Sequence, residues 1–312
     1  MLLKPMAAHE IAGNWGTVML PIREDDSIDF VRLEKIVDRM AALGLNGIYT
    51  NGTAGEFYTQ SEEEFIRVSE LTADRCHRHG VAFQIGASHM SPQLSLERIK
   101  RAASYRPSAI QVILSDWFPL QDSEAIDCLK RMAEAADGIG LVLYNPPHAK
   151  RVLTPEAYGR LKKEVPGLVG IKCAGGDAAW YEAMKEHAQG ISVFVPGHHL
   201  ASGYARGAHG AYSNVACLNP LGAQQWYDLM LTDLPKALEL ETRIQRFMAD
   251  YIAPFITRHG YCNATCDKLM SVIGGAADVG CRMRWPYRSI PASEADRLRP
   301  IAYELMPEIM KA

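Results

Sequence analysis

The first two-thirds of the chain repeat one pattern of hydrophobic and polar positions. A short apolar run ends in small or polar residues, a segment with apolar residues at helical spacing follows, and then another apolar run begins. The apolar runs predict eight strands, at residues 15–21, 47–50, 82–87, 110–114, 141–144, 169–172, 192–195 and 211–215. The intervening segments predict helices at residues 30–43, 62–76, 94–104, 124–136, 155–165, 178–188 and 199–206.

Start and stop signals support several of these helices. Ser61 followed by Glu64 predicts a capping box, in which each side chain accepts a hydrogen bond from the other residue's backbone N–H. Pro155 stands at the first position of its predicted helix, where its missing N–H has no consequence. Gly80 follows a predicted helix at a position where a left-handed residue commonly ends one.

Strands that alternate with helices form parallel sheets, and eight such units in about 210 residues fit a closed barrel better than an open sheet. The dinucleotide fingerprint G-x-G-x-x-G and the phosphate loop G-x-x-x-x-G-K-[ST] do not occur. We therefore expect an α/β fold, a (β/α)8 TIM barrel at residues 1–222 that carries the active site. Residues 223–312 should form a helical extension packed on the barrel, because helices are predicted at 221–231, 234–251, 267–273 and 293–311.

Composition narrows the class of protein without identifying it. The chain has 312 residues, 48% of them hydrophobic, and a formal net charge of −3. The protein therefore has no overall positive charge that would indicate a nucleic-acid or membrane partner. The apolar runs are shorter than the roughly 20 residues that span a bilayer, and the N-terminal residues lack a signal-peptide core, so we expect a cytoplasmic protein. Seven cysteines without metal-ligand spacing are expected to be reduced thiols.

A chemical role is suggested by Lys172, the lysine at the end of the predicted strand 169–172. Side chains alternate along a strand, so Gly170 and Lys172 face one side and Val169 and Ile171 the other. If Lys172 points into an apolar interior, its ammonium loses hydration and its pKa falls. A partly neutral lysine attacks carbonyl carbon to form a Schiff base. The alternative is a side chain that reaches solvent from the strand end.

Two neighbouring strand ends could complete such a site, since chemistry in these barrels lies at the C-terminal ends of the strands. Gly52-Thr53-Ala54-Gly55 predicts a tight turn whose backbone N–H groups converge on a carboxylate, or else an ordinary connection. Tyr144 ends the preceding strand, within reach of Lys172, because adjacent strands lie about 5 Å apart. Its phenol could relay protons, or it could be a core tyrosine bonded to a carbonyl.

The seventh and eighth strands end in His198-His199 and in Tyr212-Ser213. Adjacent histidines cannot easily face one ion and a third ligand is not evident, so we expect no metal site. A polar contact between His198 and a substrate is the better interpretation. We expect no cofactor.

Taken together, these residues resemble the dihydrodipicolinate synthase/N-acetylneuraminate lyase family of class I aldolases. The resemblance rests on three motifs in order, 52–56 (G-T-A-G-E), 144–147 (Y-N-x-P) and 170–172 (G-I-K), and it extends over about residues 13–215. It implies that Lys172 forms a Schiff base with pyruvate or another 2-keto acid, and that Tyr144 shuttles protons with help from the Thr53 hydroxyl.

The resemblance also implies substrate contacts and an assembly. The turn from Gly52 through Ala54 to Gly55 would hold the keto-acid carboxylate, and Tyr212 and Ser213 would contact bound substrate. The family is usually a homotetramer, so a homo-oligomer, tetramer or dimer, is expected. Two positions depart from the pattern of dihydrodipicolinate-forming members: Ala54 replaces a second threonine, and Ala149 an arginine that would hold the second substrate's carboxylate.

Three hypotheses follow for the function. The first is a Schiff-base lyase acting on a 2-keto or 2-keto-3-deoxy acid, by aldol cleavage, condensation or dehydration. The second, motivated by Ala54 and Ala149, is a sensor or partner protein that retains keto-acid binding with reduced catalysis. The third is a metal enzyme that uses His198 and His199. The sequence leaves the second substrate open.

Overall fold

The backbone closes into a barrel of eight parallel strands, which confirms the predicted fold class. The computed structural model describes residues 3–312. The strands pair in chain order and the first pairs with the last, so the barrel has no free edge. They are β1 Gly13–Thr17, β2 Gly47–Thr50, β3 Phe83–Gly86, β4 Ala109–Val112, β5 Leu141–Tyr144, β6 Leu168–Lys172, β7 Ser192–Phe194 and β8 Gly210–Tyr212.

The helices follow the strands and then continue beyond the barrel. The capping box at Ser61 and Glu64 and the left-handed Gly80 are both present as predicted. The helices are α1 Phe30–Ala41, α2 Glu62–His79, α3 Pro92–Ser104, α4 Asp122–Ala135, α5 Pro155–Glu164, α6 Ala178–His187, α7 Leu200–Tyr204, α8 Val215–Leu218, α9 Pro220–Thr232, α10 Leu234–Phe247, α11 Ala253–Thr257, α12 Asn263–Gly274, α13 Ser293–Leu305 and α14 Pro307–Met310.

Two strand boundaries predicted from apolar runs were wrong. The first was predicted at 15–21, yet β1 is Gly13–Thr17, because residues 18–20 are buried in the core outside the barrel and their apolar character does not mark the strand end. The last was predicted to reach residue 215, but β8 ends at Tyr212. There the Ser213 hydroxyl accepts a hydrogen bond from the Ala216 N–H and starts the short α8, which the sequence did not predict.

Two helices predicted in the C-terminal region are irregular in the structure. The predicted helix 234–251 consists of α10 and most of a π-helical turn at Met248–Ile252, and α11 follows that turn. Pro254 has no N–H to donate to the carbonyl one turn earlier, and the widened turn accommodates that loss. The predicted helix 293–311 breaks at Met306, whose non-helical backbone precedes Pro307.

The structure has two apolar cores on either side of the barrel wall. The larger lies between strands and helices, as in other parallel barrels. The smaller fills the barrel interior with aromatic rings, among them Trp15, Tyr49, Phe194 and Tyr212. The Tyr49 and Tyr212 rings stack with centroids 4.2 Å apart, which gives the pocket above them a rigid floor.

A buried ion pair fastens the C-terminal region to the loop that follows β2. Glu56 adopts a left-handed backbone conformation at the end of that loop, with φ of 51°. Its Oε1 lies 2.5 Å from Nζ of Lys268 on α12, and both side chains are fully buried. The backbone N–H of Arg284 donates to the other carboxylate oxygen of Glu56. The boundary expected at residue 222, between the barrel and the helical extension, falls inside α9. Through Lys268, α12 also helps to fix the loop that follows β2.

Within residues 3–312, none of the helices combines the length and the apolar character that crossing a membrane would require.

We predict that Lys268→Met destabilises the protein by about 3–5 kcal/mol, because the Glu56 charge would remain buried without its partner. The measurement is urea-induced unfolding. The control is Lys100→Met, which removes an exposed ion pair with Glu97 on α3 and should change the free energy of unfolding by at most about 1 kcal/mol. Similar losses for both variants would contradict the prediction.

Candidate active site

Lys172 and Tyr144 meet at the C-terminal mouth of the barrel, where β5 and β6 end. The two residues are direct partners in the parallel register of these strands. Nζ of Lys172 lies 4.5 Å from the centroid of the Tyr144 ring and 5.2 Å from that of Tyr212. The strand register therefore brings together the amine and the phenol that the sequence placed on adjacent strands, and both line one cavity of about 260 Å³.

The surroundings of Lys172 favour its neutral form. Burial lowers the pKa of Lys172 to about 8, while the nearby Asp267 carboxylate and the Cys217 thiol oppose that shift. Part of the side chain still opens into the cavity. An amine with this pKa is deprotonated in an appreciable fraction of molecules near neutral pH, and it can reach a ligand. These are the conditions that a nucleophilic lysine needs.

The phenol of Tyr144 is held in its protonated form. Burial raises the pKa of Tyr144, an interaction with the Thr53 side chain opposes the rise, and the Asp267 carboxylate adds to it. A protonated phenol beside an amine can donate a proton to an oxygen that the amine displaces. Thr53, Tyr144 and Lys172 thus occupy one site.

The loop after β2 presents Thr53 and Ala54 to the cavity, whereas Gly52 and Gly55 stand behind them. A Cβ at Gly52 would lie 2.2 Å from the Tyr49 ring, so only glycine fits there. Among residues 3–312, no oxygen accepts a hydrogen bond from the backbone N–H of Thr53 or Ala54. Two free amides at residues that line a cavity can bind a carboxylate there.

The ends of β7 and β8 form the opposite side of the cavity. His198 and Ser213 line it directly, and Tyr212 lines it with its ring as part of the floor. Burial lowers the pKa of His198 to about 4, and Nδ2 of Asn214 lies 2.8 Å from its Nδ1, so the imidazole is neutral near pH 7. The neighbouring His199 packs against the His198 ring, with centroids 4.2 Å apart, and its Nδ1 lies 3.0 Å from Nε2 of Gln245 on α10.

The metal hypothesis finds no support in this geometry. His199 does not line the cavity that His198 lines, and across residues 3–312 no group of three or more His, Cys, Asp or Glu side chains could hold a metal ion. The seven cysteines are free thiols, as expected.

The sequence did not identify the residues that close the cavity from above. Met248, Ile252 and Ile256 come from the π-helical turn and α11, and Met270 comes from α12. The pattern of this region predicted ordinary helices packed on the barrel. The widened π-helical turn, which carries Met248 and Ile252 over the barrel mouth, results from the hydrogen bond that Pro254 cannot make. The sequence shows the proline, but only the fold shows that this turn covers the barrel mouth.

Sequence reasoning also missed Asp267 on α12, which lines the same cavity as Lys172. Burial raises the pKa of Asp267 to about 7, and Lys172 opposes that shift. The residue stood at the edge of a predicted helix with no motif around it. Its relation to Lys172 arises only when the C-terminal helices fold over the barrel mouth.

The site is therefore a cavity lined by a buried amine, a phenol, a carboxylate and two residues whose backbone amides are free. This combination can bind a small keto acid and exchange protons with it. The protein is therefore compared with known proteins as a closed parallel barrel that carries a buried lysine beside a tyrosine at its mouth.

The comparisons with known proteins agree with the fold and with the family that the sequence motifs resemble. The model of the dihydrodipicolinate synthetase family matches residues 10–302. The N-acetylneuraminate lyase of Citrobacter koseri is 26% identical over 206 residues, which are 65% of this chain and 68% of that protein. The 4-hydroxy-tetrahydrodipicolinate synthase of Methanothrix thermoacetophila is 30% identical over 165 residues, 53% of this chain and 54% of that protein.

A solved structure shares the fold over almost the whole chain. The family member YagE, a prophage protein of E. coli K12 crystallised with pyruvate, superposes with a TM-score of 0.83 over 95% of this chain and 98% of its own, at 19% identity. The chain belongs to the dihydrodipicolinate synthetase family, as its motifs indicated. Membership supports a lyase of the class I aldolase type.

We predict that the reactivity of Lys172 falls as the pH drops below about 8, because the amine then becomes protonated. The measurement is the rate of acetylation of the peptide that contains Lys172, followed by mass spectrometry across a pH series. Free Nα-acetyllysine in the same solution serves as the reference, because its side-chain amine has the ordinary pKa of about 10.4. A midpoint for Lys172 near that of the reference would contradict the prediction.

Proposed function

We propose that the protein is a lyase in which Lys172 forms a Schiff base with pyruvate or another 2-keto acid, including 2-keto-3-deoxy acids. The observation that carries this proposal is the direct pairing of Lys172 with Tyr144 at the barrel mouth, with the amine 4.5 Å from the ring centroid. The free amides of Thr53 and Ala54 support it, since they suit the C1 carboxylate. Gly52 and Gly55 shape that turn, and Ser213, His198 and Tyr212 surround the remainder of the ligand.

The proposed reaction begins with attack of the neutral Lys172 amine on the C2 carbonyl. One proton of the attacking amine passes to the C2 oxygen, the Tyr144 phenol donates a second, and the oxygen leaves as water, so that a protonated imine and a Tyr144 phenolate remain. In aldol cleavage, the resulting phenolate takes the proton of the C4 hydroxyl, the C3–C4 bond breaks, and its electron pair moves into the imine to form an enamine. In dehydration, the phenolate instead removes a C3 proton and passes it to the C4 hydroxyl, which leaves as water while a C3–C4 double bond forms.

Reduction with borohydride in the presence of pyruvate tests the covalent step. We predict an adduct on the peptide that contains Lys172, and its absence in Lys172→Ala. The matched control is Lys162→Ala on α5, since Lys162 also has a pKa lowered by burial but bonds to backbone carbonyls outside the cavity. The control should retain the adduct. An adduct at another lysine, or none, would refute the proposal.

Tyr144→Phe tests the proton transfer separately from binding. We predict that kcat falls by about 10²–10⁴-fold, as expected when a positioned general acid–base group is lost. The dissociation constant of pyruvate should change little, because the ring and its contact with Lys172 remain. A panel of 2-keto acids that records pyruvate release and water loss separately provides the rates. Unchanged kcat would exclude Tyr144 from the chemistry.

The same panel separates the enzyme from the sensor that Ala54 and Ala149 suggest. A sensor would form the pyruvate adduct and gain stability from it, yet turn over none of the keto acids. Turnover that disappears in Lys172→Ala supports the enzyme.

We also propose that the protein is a homo-oligomer, a tetramer or a dimer. The support is the loop after β4, where Trp117 and Phe118 are 71% and 76% exposed, an arrangement typical of a surface that meets a second copy. Sedimentation of the wild type and of Trp117→Ser with Phe118→Ser measures the change in mass.

A further inference from the structure

Asp267 places a carboxyl group, negatively charged above its pKa of about 7, in the cavity that holds Lys172. It lies in the second turn of α12, which starts at Asn263, and its carboxylate shares the cavity with Lys172 and Tyr144. Its charge acts on both of these residues and on Cys217. Nothing in the proposed reaction assigns a role to this carboxylate.

The carboxylate of Asp267 has no partner of its own. Within residues 3–312, no hydrogen bond reaches it, and no basic nitrogen, that of Lys172 included, lies within 4.0 Å of it. A partly buried carboxylate without a donor loses part of the hydration it had in water and gains no hydrogen bond from the protein in exchange. A ligand hydroxyl that donates a hydrogen bond would supply what the protein does not.

The cavity also lacks a positive charge for a second ligand anion. Among the described residues that line it, Lys172 is the one basic side chain that carries a charge, since there is no arginine and His198 is neutral. The amine of Lys172 is consumed when a Schiff base forms. The wall beyond it is apolar, from Met248, Ile252 and Met270.

We infer that Asp267 determines which keto acids the site accepts. It receives a hydrogen bond from a hydroxyl of the substrate beyond C3, and it excludes substrates whose far end carries a second carboxylate. The substrate class is thus a hydroxylated 2-keto acid with an uncharged tail. This inference rests on the proposed Schiff-base function and narrows it.

Two five-carbon substrates form a matched pair for the test. In 4-hydroxy-2-ketopentanoate the last carbon is a methyl group, and in 4-hydroxy-2-ketoglutarate it is a carboxylate; the keto, hydroxyl and first carboxylate groups are the same. For the wild type we expect kcat/KM to favour the uncharged tail by about 10- to 100-fold, the range that one lost charge-assisted contact corresponds to. Substrate loss is followed as both pyruvate release and water loss.

The variant Asp267→Asn keeps the size of the side chain and removes its charge. We expect it to reduce the preference for the uncharged tail by at least about tenfold, through faster turnover of the anionic substrate and slower turnover of the uncharged one. Asp296→Asn, on the exposed side of α13, is the control and should keep the wild-type ratio. A purely structural role of Asp267 would lower both rates alike and leave their ratio unchanged, which would overturn the inference.

Borohydride trapping with pyruvate keeps the two levels of the argument apart. An adduct on Lys172 in the wild type and in Asp267→Asn shows that the Schiff-base step of the proposed function holds and that the variant is folded. If the adduct forms in the wild type and the keto-acid panel shows turnover, equal rates for the two substrates, faster turnover of the anionic one, or turnover of neither would overturn the inference alone. Without an adduct in the wild type, the proposed function fails and the inference fails with it.

Discussion

The loss of hydration at one amine is the constraint on which the rest of the site depends. Lys172 ends a barrel strand above stacked aromatic rings, with Tyr144 at its side and apolar helices overhead. In water its ammonium would be strongly favoured, but here burial brings the pKa down to about 8. Closure of the barrel and the aromatic core beneath its mouth maintain that environment, so the fold and the chemistry of the lysine cannot be separated.

The C-terminal helices are part of this environment. They supply the apolar roof at Met248 and Ile252 and the carboxylate of Asp267, and Lys268 holds the loop of Thr53 through its buried ion pair with Glu56. A barrel without these helices would leave its lysine open to water. The helical region is therefore a working component of the site rather than an appendage.

The sequence predicted the features that depend on local pattern. Alternation of apolar runs and helical segments was sufficient for the barrel, and the alternation of side chains along β5 and β6 was sufficient to place Tyr144 beside Lys172. Features that depend on distant contacts were missed. The residues around Asp267 form no motif, because its role depends on Lys172, which lies 95 positions earlier in the chain and lines the same cavity. The π-helical turn over the cavity follows from a single proline, Pro254. Likewise, the end of β1 was misplaced because buried residues continue beyond the strand.

A crystal structure of the protein soaked with pyruvate tests the central claim most directly. The account predicts continuous electron density from C2 of pyruvate to Nζ of Lys172, with the pyruvate carboxylate on the backbone amides of Thr53 and Ala54 and the Tyr144 hydroxyl facing C2. Pyruvate bound away from Lys172, or a Lys172 side chain turned out to solvent with its cavity filled by other groups, would contradict it.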